Sequence, residues 1–339
     1  MRSLFSVVSA ALLAASQFTC AQEVQLVMVG DVMLDELHGK AIARGMDPFA
    51  EFADILHAAD AAVANLECVV ATGGRPEPDK PYTFRASPLV LPVIARHFGI
   101  VSLANNHSVD FGHEAFLEQL ALLDKHKIAR FGGGKNCADA RLPLILVIKG
   151  IRIALLGYND FHPRCFEAGP NWPGVAWAVD EQITSDIEAA RTIHKADLVI
   201  PVMHWGEEYE PANDRQRKLA HLMIEAGADM VIGGHPHVTQ GAEYHRGKLI
   251  LFSLGNFVFN GFDEGPRRTG WLLRLKLNNQ GIIAWDTVVA HLDEEGIPHL
   301  KRDTASPSGI KGSDKIDDRR ALIDSPLSGA SKSSPAPQN

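Results

Sequence analysis

The residues able to do chemistry in this 339-residue chain stand at the ends of apolar runs. His235 and His237 follow the run 230–232 and a Gly233-Gly234 pair, whose backbone freedom permits a tight turn and presents two imidazoles in one loop. Such a pair alone is more often solvated surface than a ligand set, so its meaning depends on partners. Candidates recur at other run ends: Asp31 after 24–29, Asn65 and Glu67 around the end of 61–66, Asn106, His107 and Asp110 after 99–103, and His204 with Glu207 after 198–203. Each taken singly is ordinary turn chemistry, because Asn and Asp cap helices and tolerate left-handed backbone. Together, Asp31, Glu67, Asn106, His204, His235 and His237 offer two carboxylates, one amide oxygen and three imidazoles. That mixed set suits one or two divalent ions such as Zn, Mn or Fe. His107 and Asp110 are the catalytic candidates: a titratable ring beside Asn106, with a carboxylate three residues on that can fix its tautomer. Asn65, Arg141 and Glu207 are candidates for contacts to substrate.

The elements that must position these groups alternate strand with helix. Strands are expected over 24–29, 61–66, 99–103, 198–203, 230–232 and 249–253, with helices over 48–59, 88–98, 113–126, 180–195 and 214–226. The stretch 113–126 brings Phe116, Leu117, Leu120 and Leu123 to one face, which reads as core. Ser87-Pro88 is a helix start, with serine as cap and proline in the first turn. Hairpins are expected at 144–148 with 151–156 and at 271–277 with 282–289. Alternating elements of this kind build layered sheets whose loops converge at one edge, so these strand ends can meet. Strand alternation also puts Asn65 and Glu67 on one side and Leu66 on the other. Gly132-Gly133-Gly134 lacks the spacing of a phosphate-binding loop and reads as a turn.

Composition bounds the rest. A net charge of -8 without a Lys/Arg cluster argues against nucleic acid as a partner. Arg2, the apolar run 4–18 and Thr19-Cys20-Ala21 have the three regions of a secretory signal peptide, so residues 1–21 are expected to be removed and the protein exported to periplasm or exterior. A lipoprotein anchored at Cys20 is the less favoured alternative, since Phe18-Thr19 is a poor small-residue box. Cys68, Cys137 and Cys165 then remain, an odd number without CxxC spacing, which allows at most one bridge. Beyond residue 302 apolar periodicity is gone, and 303–339 is expected to be a disordered tail following a single domain over 22–302.

The ordered set Gly30-Asp31, Asn65-Leu66-Glu67, Asn105-Asn106-His107 with Asp110, His204-Trp205-Gly206-Glu207, Gly234-His235-Pro236-His237 and Ser253-Leu254-Gly255-Asn256-Phe257 resembles the CapA family of capsule-synthesis proteins, within the calcineurin-like metallophosphoesterase superfamily. It covers residues 24–260 in the family's order. The resemblance implies an α/β fold, a two-sheet sandwich flanked by helices in four layers, with a metal centre at the sheet edge. It implies that Glu67 bridges two ions, that Asn106, His204 and His235 hold one and Asp31 with His237 the other, and that His107 assists the leaving group. The superfamily's first motif is Asp-x-His, whereas Asp31 is followed by Val32 and Met33. A thioether is a poor ligand for a hard ion, so the Asp31 side is expected to bind weakly or to recruit Asp35 or Asn65.

The function expected from this set is metal-dependent hydrolysis of a phosphoester or of an anionic envelope or capsule polymer, with His107 as an imidazolium protonating the departing oxygen. The alternative is a non-catalytic assembly factor for poly-gamma-glutamate capsule that binds the polyanion or a membrane-bound synthase, since family membership does not fix chemistry.

Overall fold

Alternation along the strand Val24–Val32 sets the layering of the molecule. Leu26 and Met28 pack into a core shared by two sheets, while Val27 and Val29, one residue out of phase, pack under helices. The computed structural model describes residues 22–262, 265–301, 304–310 and 315–320. The expected signal peptide and the remainder of the tail lie outside the described residues.

Among the described residues the first sheet runs, in spatial order, Asp317–Arg320, Ala305–Ile310, Gly281–Leu292, Thr269–Asn278, Val24–Val32, Ala61–Leu66, Ile100–Ser102 and Ala129–Phe131. The last four of these are mutually parallel. The second sheet runs Thr239–His245, Lys248–Leu254, Met230–Gly234, Leu198–His204, Ile151–Asn159 and Leu144–Ile148, with its inner four strands parallel. Between the sheets Leu26, Met28, Val63 and Ile100 meet Ile153, Leu155, Ile200, Ile232 and Leu251. Helices Leu91–His97 and Gly112–Lys125 cover the outer face of the first sheet through Ile94, Phe116 and Leu120. Asp180–Thr192 and Asp214–Glu225 cover the second through Ile183, Ile187, Leu219 and Met223. This is the expected four-layer α/β sandwich. Parallel strands finish on the same side, so the C-terminal ends of both sheets open onto one edge.

Local differences from the sequence reading have simple causes. Leu117 is 40% exposed, and Gln119 takes its place inside because its Oε1 accepts the Val70 N–H at 3.2 Å. Gly133–Gly134 is a short strand rather than a plain turn, paired with Gly174–Val175. The Ser87 cap forms as expected, its side chain accepting from the Leu89 N–H. Among the described residues Cys68, Cys137 and Cys165 are free.

The expected tail boundary at 302 is the main correction. Ala305–Ile310 pairs antiparallel with Gly281–Leu292, and Asp317–Arg320 pairs onto it in turn. Apolar periodicity is absent there because the inward positions are small and polar. Ser306 is buried and its Oγ donates to the Thr287 carbonyl at 2.6 Å, while Thr287 Oγ1 donates to the Pro307 carbonyl at 3.0 Å. Gly309 lies over Trp285: a Cβ there would stand 2.5 Å from both the indole Nε1 and the Tyr244 hydroxyl. Hydrogen exchange on the full chain is expected to show slow amides over 305–310, and truncation after residue 302 to lower the melting temperature by about 3 °C or more. Random-coil exchange across 305–310 would contradict the pairing.

Candidate metal centre

Each group at the shared edge is delivered by a strand end. Asp31 is the penultimate residue of Val24–Val32, Glu67 follows Ala61–Leu66, and His204 closes Leu198–His204. His235 and His237 follow Met230–Gly234 in left-handed backbone, with φ of 95° and 56°. Such values are strained for residues with a Cβ, and the glycines before them permit the approach. At Gly234 a Cβ would sit 2.8 Å from Asp31 Oδ1, and at Gly30 it would sit 1.9 Å from the Gly255 carbonyl oxygen.

The groups are all buried: Asp31, Glu67 and His235 are fully sequestered, and Asn106, His204 and His237 are nearly so. Two triads of ligand atoms converge to within 4.8 Å, one of Glu67, His235 and His237 and the other of Asp31, Glu67 and His204. Glu67 belongs to both, as a bridging carboxylate should. The His204 and His235 rings, expected to share an ion with Asn106, have centroids 4.7 Å apart. His237 does approach Asp31, at 3.6 Å from Nδ1 to Oδ2. Asn106 Oδ1 lies 2.7 Å from His204 Nε2, which in turn is 3.4 Å from Glu67 Oε1.

Hydrogen bonds fix the orientation of these groups from behind. Asn65 Nδ2 donates to Asp31 Oδ1 at 2.8 Å and lies 3.2 Å from His204 Nδ1, while its Oδ1 accepts from Asn105 Nδ2 at 3.0 Å. Asn65 therefore supports the centre rather than facing a substrate. Asn256 Nδ2 donates to the carbonyls of His237 and Arg267, so its Oδ1 is the acceptor for His237 Nδ1–H at 2.8 Å. That tautomer leaves the His237 Nε2 lone pair free. Aromatic rings back the imidazoles: Phe161 lies 3.8 Å from His235, Phe259 4.7 Å from His237 and Phe84 4.5 Å from His107.

What the protein leaves undone identifies the missing component. Both oxygens of Glu67 and both ring nitrogens of His235 are buried without a hydrogen-bond partner. Orphaned polar atoms of this kind are costly, typically ~1–3 kcal/mol each and more when charged. Burial raises the Asp31 carboxyl to about 6, with Glu67 adding to the rise, and raises Glu67 to about 8. Burial lowers His204 to about 3 and holds His235 well below the ordinary imidazole value. Without a cation, burial therefore works against charge on the carboxyls and on the imidazoles. A divalent ion reverses the first preference and uses the second, displacing protons as it binds. The donor set fits such an ion.

His107 and Asp110 meet as expected, Nδ1 to Oδ2 at 2.6 Å. The imidazolium expected for His107 is not favoured: burial lowers its pKa below the ordinary value despite Asp110, and the Lys80 ammonium lowers it further. Lys80 is not among the sequence candidates, yet its Nζ lies 2.6 Å from Asp110 Oδ1 and 2.9 Å from His107 Nδ1. A lone lysine in a Gly/Pro-rich loop carries no pattern that marks it. Arg141 is not at the centre; it forks onto Asp186 at 2.9 and 2.7 Å, a carboxylate that also accepts from Tyr158. Glu207 is exposed, and it is the charge of Glu208 that reaches Glu67 and His204. Met33 is packed in the helix-side core with its sulfur 3.2 Å from the Asp35 N–H, and Asp35 accepts from the Arg85 N–H. Neither substitutes for the missing histidine.

A family described as bacterial capsule synthesis protein PGA_cap matches residues 25–261. The chain is 31% identical over 290 residues to the PGA biosynthesis protein CapA of Bacillus subtilis (strain 168), spanning 83% of this chain and 75% of that one. It is 30% identical over 289 residues to the capsule biosynthesis protein CapA of Bacillus anthracis, spanning 82% and 69% respectively. Among solved structures, a hypothetical protein from Thermus thermophilus shares the fold at a TM-score of 0.52 and 17% identity, covering 79% of this chain and 99% of that one.

Elemental analysis of purified protein is expected to find at least one divalent ion per chain, with Glu67→Gln and His235→Ala substoichiometric. Asn65→Ala, which removes the supporting hydrogen bonds to Asp31 and Asn105, is expected to weaken binding about 10–100-fold. Retention of full metal content by Glu67→Gln would contradict the assignment.

Proposed function

The chain belongs to the bacterial capsule synthesis protein family, and from that premise we propose that it is an exported metal-dependent hydrolase of a phosphoester or of a cell-envelope or capsule polymer. The observation that carries this reading is the buried donor set in which the side chains of Glu67 and His235 have no hydrogen-bond partner among the described residues. A divalent ion held by Asp31, Glu67, Asn106, His204, His235 and His237 would supply Lewis-acid charge toward an oxyanion and toward water. The chain's own groups do the rest. Asn65 and Asn256 hold Asp31 and His237 in place from behind. His107, anchored at Nδ1 by Asp110, carries the proton: its neutral ring accepts one at Nε2 and returns it to the departing oxygen. Export is supported by Arg2 and the apolar run ahead of Cys20-Ala21, and an anionic polymer or its membrane synthase suits a protein with relatives named for capsule biosynthesis.

The test is a panel of p-nitrophenyl phosphate, bis-p-nitrophenyl phosphate and gamma-linked glutamate polymer. Metal-saturated protein is expected to turn over at least one, a chelator to abolish it, and His107→Ala to lower kcat about 100- to 10,000-fold. Turnover of none by fully metal-loaded protein would instead favour a binding role in capsule assembly.

A further inference from the structure

Several guanidinium groups among the described residues are committed to carboxylates: Arg141 to Asp186, Arg215 to Asp160 and Asp180, Arg217 to Glu243 and Arg274 to Asp286. The ammonium nearest the centre, Lys80, is committed to Asp110. Arg267 differs. It is exposed, it forms no ion pair among the described residues, and its Cζ lies 3.8 Å from the centroid of the Tyr209 ring. That ring is 6.4 Å from the His237 imidazole.

Both partners of the stack are tied to the metal-binding segment. The Tyr209 N–H donates to the Pro236 carbonyl at 2.8 Å, and Tyr209 adopts left-handed backbone with φ of 69°. The Arg267 carbonyl accepts from Asn256 Nδ2 at 2.8 Å, the amide whose oxygen holds His237. A guanidinium laid on an aromatic face keeps its N–H edges outward, and that fork matches the two oxygens of a carboxylate or phosphate. Beyond the stack, Tyr209 and Pro266 line a cleft of about 390 Å³ whose charged groups are Glu210, Arg217 and Glu243, the last two paired with each other. The cleft can hold the body of a ligand that the centre itself has no room for.

We propose that Arg267, stacked on Tyr209 at the rim of the metal centre beside His237, binds an oxyanion of the substrate, carboxylate or phosphate, adjacent to the group acted on. The site then selects substrates with at least two anionic groups, one at the centre and one on the guanidinium. This rests on the metal-dependent hydrolase reading and adds to it a specificity-determining residue and a substrate class.

The test uses the metal-loaded full-length mature chain and calorimetric titration with inorganic phosphate, pyrophosphate and glutarate. Either pyrophosphate or glutarate is expected to bind more tightly than inorganic phosphate, which tells the phosphate source from the carboxylate source. Arg267→Ala is expected to weaken that binding about tenfold, and Arg267→Lys nearly as much, since an ammonium lacks both fork and stack. Binding of inorganic phosphate is expected to change less than about twofold, and bound metal not at all. Unchanged affinity in Arg267→Ala with metal content intact overturns this inference alone, as does wild-type protein that prefers neither two-anion probe. A chain that takes up no metal overturns the hydrolase reading together with it.

Discussion

Two carboxylates and three imidazoles are buried together, and no lysine or arginine among the described residues pairs with them. That is the constraint on which the rest of the site depends. Desolvation disfavours every charged form present, as the raised carboxyls of Asp31 and Glu67 and the lowered imidazoles of His204 and His235 record. Lys80 is the nearest cation, and Asp110 claims it. A buried cluster that is this poorly satisfied persists when something binds to it, and the types of atom left over, carboxylate oxygens and imidazole nitrogens, are those a borderline divalent ion takes.

The sandwich makes the arrangement possible. Its two sheets meet through a dry apolar core, and both send the ends of their parallel strands to the same edge. Asp31 and Glu67 arrive from one sheet, and His204, His235 and His237 from the other, so the centre is assembled across the interface of the layers. The glycines preceding Asp31 and His235 let the two backbones come within reach, and the asparagines Asn65, Asn105 and Asn256 lock the side chains from behind. Rigidity here is backbone-borne, as precise placement of ligands requires.

Much of this was legible in the sequence because residue type and strand end coincide. Strands such as Ala61–Leu66 and Leu144–Ile148 announce themselves by apolar runs, and Asp31, Glu67, Asn106, His204, His235 and His237 all stand where those runs stop. What escaped lacks periodicity. Ala305–Ile310 is held by hydroxyl and backbone hydrogen bonds with no apolar face, and Thr239–His245 is a half-exposed edge strand. Lys80 and Glu208 act through space from loops, where no spacing rule applies. Arg141 misled because a lone arginine looks the same whether it faces a ligand or a buried aspartate.

The most direct test of the account is anomalous X-ray diffraction from crystals of the metal-loaded mature protein, collected above and below the absorption edge of the bound ion. The account predicts a strong difference peak within coordination distance of Glu67, bounded by His235 and His237 on one side or by Asp31 and His204 on the other. A peak elsewhere, or a loaded protein whose Glu67 and His235 touch no ion, would contradict it.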